Sequence, residues 1–427
     1  MVIEITPRHL KGNIVAPFSK SDAHRVLIAA ALCSEPTEIT VSCEAEDILA
    51  TIRCLESLGA RLSSLDESSM RFRMEPITTL KTASSPILDC GESGTTLRLL
   101  LPVVAALGID AKFTARGRLP ERPLRELTWA LGANGIRFNA PKLPFQLEGG
   151  LHSGNYRLPG NISSQYISGL LFALPLLEGS SRITLTTELE SSSYVDMTRH
   201  TLKTFGVHSK QEGENDYSVD GKQDYKSPGS AEIEGDWSNA AFLLAAGALG
   251  GSVQVNGLSV TSLQGDRAIC ELLSGFGANV RTDDANITVS AGNMHGMDID
   301  VSETPDLFPV LAVVASVTSG TTRLLNASRL RIKESDRIHA VAVMLTNLGA
   351  DIHELADALV INGKPRLVGG TVDGANDHRI VMAAATASIM CENPVTILGA
   401  ESVAKSYPHF FNDFNAIGGN ARVVNNR

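Results

Sequence analysis

The chain has 427 residues, more than one domain usually holds, so two domains of roughly 200 residues each are expected. Hydrophobic residues at 43% and charged residues at 20% give a globular balance, and aromatics at 5% leave the core to Leu, Ile, Val and Ala. A formal net charge of −10 argues against a nucleic-acid surface, the six scattered cysteines form no Cys-x-x-Cys pair, and no apolar run reaches the ~18 residues of a membrane span.

In chain order, two elements alternate six times. The first is a helix apolar nearly all round, opened by small polar residues. Its copies begin near Ser21, Gly94, Ser163, Ser238, Asp306 and Asp377. A helix without a polar face belongs inside a protein. The second is an amphipathic helix closing on a glycine: Gly59, Gly135, Gly206, Gly277, Gly349 and Gly418, spaced 69 to 76 residues apart. Each glycine stands where a left-handed residue ends a helix. Short alternating runs such as Ile183-Thr-Leu-Thr, Thr321-Thr-Arg-Leu and Val395-Thr-Ile-Leu read as strands. Six copies of strand, helix, strand, helix and further strand predict an α/β fold of two similar domains, each of three βαβαββ-type repeats with its apolar helices inside. The boundary is expected where Lys226-Ser-Pro-Gly-Ser breaks the pattern. Residues 20–234 then form one domain, and residues 1–19 plus 235–427 the other.

The starts of the apolar helices carry the chemistry. A helix N-terminus presents unpaired N–H groups and a positive dipole end, which suit an anion. The first start reads Ser19-Lys20-Ser21-Asp22-Ala23-His24-Arg25, with Lys20 expected just ahead of the helix. The second is Glu92-Ser93-Gly94-Thr95, the third Ser163-Ser164-Gln165, the fifth carries Asp306, and the sixth is Asn376-Asp377-His378-Arg379. Outside them stand Glu121-Arg122-Pro123, the charged run Arg331-Ile-Lys333-Glu334-Ser-Asp336-Arg337, and Lys405 ahead of the last helix. Taken singly, these are an ordinary cap, a solvated helix start or a buried histidine. Taken jointly, they predict helix starts facing each other across a cleft that holds anionic substrates. No His-x-x-x-His and no Gly-x-x-x-x-Gly-Lys-Ser/Thr motif is present, so neither a metal nor a nucleotide cofactor is expected.

At these residues the chain resembles the enolpyruvyl transferase family, and within it the 5-enolpyruvylshikimate-3-phosphate synthases (3-phosphoshikimate 1-carboxyvinyltransferases). The resemblance runs from about Ile5 to Val423. It implies an inside-out α/β barrel in two domains that close on substrate, and a cytoplasmic monomer of the shikimate pathway. It implies transfer of the carboxyvinyl group of phosphoenolpyruvate to 3-phosphoshikimate, without a cofactor. Residues 20–234 would be the phosphoshikimate side, and the other domain the phosphoenolpyruvate and acid/base side. Carried over by position, Lys20, Ser21, Arg25, Ser163, Ser164, Gln165, Ser191, Tyr194, Asp306 and Lys333 would hold 3-phosphoshikimate. Lys20, Gly94, Arg122, Gln165, Arg337, Arg379 and Lys405 would hold phosphoenolpyruvate. Asp306 would accept the proton of the attacking hydroxyl and Glu334 would protonate the methylene carbon, with Lys20 as a catalytic partner. Three positions depart from the family pattern: Glu92, Leu99 and Arg329.

Three other functions compete with this one. UDP-N-acetylglucosamine enolpyruvyl transferase shares the fold and the donor, but the loop Ala115-Arg116-Gly117-Arg118-Leu119-Pro120 lacks the reactive cysteine of that branch. A non-catalytic binder of phosphorylated metabolites would have no need of Asp306, Glu334 and Lys405 together. The acidic net charge disfavours an RNA-end-processing relative.

Overall fold

The computed structural model describes residues 1–66, 68, 70–77 and 85–424. Six of its helices are apolar and buried: α1 (Lys20–Ala31), α3 (Gly94–Ala106), α5 (Ser164–Ala173), α7 (Trp237–Ala248), α9 (Phe308–Ser316) and α11 (His378–Ala387). Every residue of α7, α9 and α11 is buried, as their Ala, Leu, Val and Phe content requires. Six others alternate with them and keep a wet face: α2 (Glu46–Ser57), α4 (Arg125–Gly132), α6 (Ser192–Thr204), α8 (Ile269–Phe276), α10 (Arg337–Asn347) and α12 (Phe410–Ala416).

The amphipathic helices end alike. All six repeat glycines have positive φ, from 77° at Gly206 to 107° at Gly135. In each copy the N–H after the glycine bonds the carbonyl five residues back, as Ala60 to Leu55, Val207 to Leu202 and Ala350 to Leu345 show. This is the Schellman closure, which satisfies helix-end carbonyls and turns the chain into the next strand.

Among the described residues the strands form six four-stranded sheets of one plan. In one of them Ile87–Asp89 runs parallel to Ala111–Thr114, Phe145–Glu148 pairs antiparallel with the latter, and Arg137–Phe138 closes the edge. The chain divides into two compact units, Lys20–Ile233 and Met1–Ser19 with Glu234–Arg427. Each holds three sheets. Strand Val2–Ile5 pairs with Val395–Leu398 and Ala421–Val423, so the start of the chain completes a sheet of the second unit. Strand Ser230–Glu232 runs parallel to Thr37–Thr40 and completes a sheet of the first.

Helix packing explains one glycine inside an element. A Cβ on Gly169 of α5 would lie 2.3 Å from the carbonyl oxygen of Arg98 on α3, so only glycine lets these two helices touch. Two helix starts differ from expectation. Lys20 is the first residue of α1 rather than the one before it. Asp306 does not open α9: the helix begins at Phe308, after a turn in which the Leu307 N–H bonds the Thr304 carbonyl. Proline at the second helical position, Pro309, suits that later start.

Candidate active site

In the first unit, Lys20 donates to Asp47 of α2 at 2.9 Å, with both side chains nearly buried. Arg25 lies one turn further along α1 and is 1% exposed. Its Nε donates to Thr198 Oγ1 at 2.9 Å, Nη1 to the Ser21 carbonyl at 2.6 Å and Nη2 to the Tyr194 carbonyl at 2.8 Å. The Tyr194 ring centroid is 5.8 Å from its guanidinium carbon. Burial draws the Arg25 pKa down to about 10, against Asp22 and Tyr194. It is charged at neutral pH and ties α1 to α6.

A second cluster forms around Arg98, a cation set inside apolar α3. Arg98 Nη1 donates to Gln165 Oε1 at 3.0 Å, and Gln165 Nε2 donates to Thr95 Oγ1 at 2.8 Å. A Cβ on Gly94 would lie 2.8 Å from Nη1 of both Arg122 and Arg98. Gly94 therefore admits two guanidiniums to the start of α3, where the helix dipole is positive. Ser93 is an ordinary cap, accepting from the Thr96 N–H at 3.2 Å. Ser163 sits at the matching position of α5 with no capping bond from its side chain, and Ser164 opens the helix. Ser191, just before α6, is buried with φ 56° and ψ 49°, a left-handed conformation that a serine adopts only when its surroundings enforce it.

The second unit gathers its charge around Arg337, which is 1% exposed. Its guanidinium bonds three carboxylates: Asp306 at 2.6 Å, Glu334 at 2.7 Å and Asp377 at 2.8 Å. Asp377 is fully buried, caps α11 through the Arg379 N–H and accepts from Ser335 Oγ at 3.0 Å. Arg379 pairs with Asp306 at 3.0 Å. Burial pushes the Asp306 carboxyl up, but Arg379, Arg337 and Lys333 outweigh it and hold the group well below the usual carboxylate range. An aspartate so held is a weak base until its guanidiniums meet another anion. Burial, with Arg329 and Arg337, pulls Lys333 down to about 7, against Asp306 and Glu334. Lys405 Nζ donates at 2.7 Å to the carbonyl of Asn376. Ala375 and Asn376 both have positive φ, a strained turn leading into Asp377.

The charged run before α10 divides. Arg331 turns outward to Asp336 and Glu354, and Asp336 caps α10, the ordinary fate of such residues. Arg337 turns inward to Asp306, with Glu334 on its other terminal nitrogen, and Lys333 is buried within reach of the Asp306 charge.

Three partners escaped the sequence reading. Asp47 and Arg98 are two. The third is Asp266, buried and bonded by Ser238 Oγ at the start of α7. Burial and the neighbouring Asp306 raise its pKa to about 7, against Arg379. Arg98 had a signal, being the one cation in the run Leu97 to Leu107. No cluster of His, Cys, Asp and Glu suited to a metal ion occurs among the described residues.

Repeated βαβαββ units with cationic groups at the starts of their buried helices define an enolpyruvyl transferase fold. Two solved structures share it: EPSP synthase from Acinetobacter baumannii (TM-score 0.82, 28% identity, 99% of this chain and 100% of that one) and the enolpyruvyl transferase NikO from Streptomyces tendae (TM-score 0.80, 16% identity, 99% and 98%). The sequence model described as EPSP synthase (3-phosphoshikimate 1-carboxyvinyltransferase) matches residues 5–414, and the chain belongs to that family. Proteins named 3-phosphoshikimate 1-carboxyvinyltransferase from Clostridium novyi and Clostridium kluyveri are 43% and 44% identical, each over 98% of this chain and 97% of the relative.

Proposed function

We propose that this enzyme transfers the enolpyruvyl group of phosphoenolpyruvate to the 5-hydroxyl of 3-phosphoshikimate, releasing phosphate, on the shikimate route to chorismate and the aromatic amino acids. Full-length membership of the EPSP synthase family carries this reading. The absence of a cysteine from residues 115–120 favours it over the UDP-N-acetylglucosamine branch. It is an enzyme of the cytoplasm.

On this reading each unit supplies part of the ligand set. Lys20, Ser21, Arg25, Ser163, Ser164, Gln165, Ser191, Tyr194 and Lys333 address 3-phosphoshikimate. Since Arg25 is buried and bonded to protein, it acts mainly by fixing Ser21 and Tyr194. Lys20, Gly94, Arg122, Gln165, Arg337, Arg379 and Lys405 address phosphoenolpyruvate. In the addition step the 5-hydroxyl oxygen bonds C2 of phosphoenolpyruvate, its proton passes to Asp306, and Glu334 gives a proton to C3. The tetrahedral intermediate's phosphate and carboxylate charges face the cationic set. In the elimination step the C2–O bond to phosphate breaks, a proton returns from C3 to Glu334 and the proton on Asp306 leaves with the phosphate, restoring the alkene and both carboxyl groups. Phosphate release measured with phosphoenolpyruvate and either 3-phosphoshikimate or UDP-N-acetylglucosamine tests the proposal. Release with the sugar nucleotide alone, or with neither acceptor, overturns it.

A further inference from the structure

The first unit carries a pocket outside the two substrate sets. It offers about 810 Å³ between α4, residues 119–123 and residues 138–143, a size ordinary for small-molecule sites. Arg122 is its one residue in common with the groups assigned above to phosphoenolpyruvate. Flat, stiff surfaces line it: Trp129 and Phe138, with Pro120, Pro123 and Pro141. The Phe138 ring is fixed edge-on against buried Phe145, with centroids 5.1 Å apart and planes at 84°. Trp129 is 60% exposed, an uncommon position for so large an apolar side chain.

One residue of the wall is not what the fold alone would select. Gly132 lies in the last turn of α4, where glycine weakens a helix relative to alanine. Its φ is outside the left-handed region, and a Cβ built on it would meet no atom of the described residues within 4 Å. Gly169 differs, since there a Cβ would strike the neighbouring helix. Neither backbone nor packing requires glycine at 132. Its missing side chain leaves the pocket open on that side.

The charge on the lining is positive, in a chain of net charge −10. Arg122, Arg125 and Lys142 stand against Glu121. The Arg125 guanidinium lies 3.7 Å from the centroid of the Trp129 ring, a stacked position that leaves its in-plane N–H donors available. Among the described residues, neither that guanidinium nor the Lys142 ammonium donates to a protein acceptor. With Arg122 engaged by phosphoenolpyruvate, two cations and one carboxylate remain, a balance that suits a single negative charge. We propose that this pocket is a separate binding site for a small aryl carboxylate. The ring lies against Trp129 and Phe138 beside the open wall at Gly132, and the carboxylate accepts from Arg125 and Lys142. The charge count rests on the assignment of Arg122 to phosphoenolpyruvate. Binding is measured without turnover, so failure of that assignment and failure of the site are told apart.

The probe is 3-phenylpropanoate, one ring and one carboxylate, titrated into the whole protein at fixed ionic strength. The chain has two tryptophans, and Trp237 is fully buried in α7, so a change in tryptophan emission reports on Trp129. A saturable change with Kd on the order of 0.1–1 mM is expected for a ligand of about eleven heavy atoms. Arg125→Gln and Lys142→Gln should each weaken Kd about two- to fivefold, as loss of an exposed ion pair does. Both residues lie outside the two substrate sets, so that loss places the probe in this pocket. The uncharged 3-phenylpropanamide should bind more weakly by about the two losses together. Hexanoate, which keeps the charge without the ring, should bind about three- to tenfold more weakly. Gly132→Leu should melt no lower than wild type yet lose the probe, because its side chain fills the open wall. Equal Kd for acid and amide, equal Kd for the ring acid and hexanoate, or wild-type Kd in Gly132→Leu would each overturn the proposal. So would the absence of a saturable signal at about tenfold the expected Kd. The comparison of ligands uses wild-type protein, so it decides the matter even if a variant fails to fold. Lack of turnover in a protein that binds the probe would instead refute the function and leave the site standing.

Discussion

Replacing Arg337 by methionine tests whether the cluster in the second unit is as desolvated as its geometry states. The substitution keeps the bulk of the stem but leaves Asp377, Asp306 and Glu334 without the cation they share. Arg337 is 1% exposed and Asp377 fully buried, so water cannot replace what is lost. Breaking a buried ion pair from one side costs about 3–5 kcal/mol, because the other charge stays behind unpaired. For a unit of this size each kcal/mol lowers Tm by about 2–4 °C, so a fall of about 6–20 °C is expected at neutral pH. The sign with pH follows from the carboxylates. In the wild type the folded Asp306 pKa lies below its unfolded value, so its contribution is present above the unfolded pKa and lost as pH falls through the folded one. In the variant the same groups are buried without Arg337, their pKa values rise, and protonation relieves them. The gap between wild type and variant should therefore narrow as pH falls from about 7 to about 5. Differential scanning calorimetry at both pH values provides the measurement. A variant melting within about 2 °C of wild type at neutral pH would refute the reasoning, since a loss that small fits only a solvated ion pair.

Asp306→Asn should fold normally and bind both ligands but lose ~10²–10⁴ in turnover, because asparagine cannot accept the hydroxyl proton; normal phosphate release by the folded variant would remove Asp306 from the chemistry. Lys20→Ala should cost more turnover at saturating substrate than Arg25→Ala. In thermal melting both should fall: losing Arg25 strands buried acceptors at a cost of about 1–3 kcal/mol, and losing Lys20 leaves the nearly buried Asp47 without its cation. Lys333, with a pKa of about 7, is charged below that pH and neutral above it, so KM for 3-phosphoshikimate should rise with pH above about 7, by up to about tenfold per unit. A flat KM across that range in the wild type would place the phosphate elsewhere. Gly94→Ala should raise KM for phosphoenolpyruvate, because its methyl group would press on the guanidiniums of Arg122 and Arg98; an unchanged KM would mean those guanidiniums do not serve the donor.

Much of the fold was legible because its rules are local. A glycine that ends a helix does so through its own backbone, and six in register announced six repeats. A helix without a polar face has to be buried wherever it lies, and α7, α9 and α11 are buried at every residue. The start of α9 was misplaced for an equally local reason: aspartate is a favoured cap, but here a turn from Thr304 to Leu307 intervenes and frees Asp306 for Arg337 and Arg379.

Pairings were not legible, because they join positions far apart in sequence. Lys20 and Asp47 are 27 residues apart, Arg98 and Gln165 are 67, and Arg337 and Asp377 are 40. Yet the pairing, and not the residue type, decides what each group can do. Arg337 with no carboxylate beside it would be a plain anion site, binding phosphate with an affinity indifferent to proton supply. Arg337 with three carboxylates has its charge more than balanced by protein before any ligand arrives. The run from Arg331 to Arg337 displays the same principle within seven residues. Arg331 and Arg337 have the same chemistry and carry the same charge. One finds Glu354 at the surface and serves as a fastening; the other finds Asp306 and Asp377 in the interior, and its charge is thereby tied to the protonation of its neighbours.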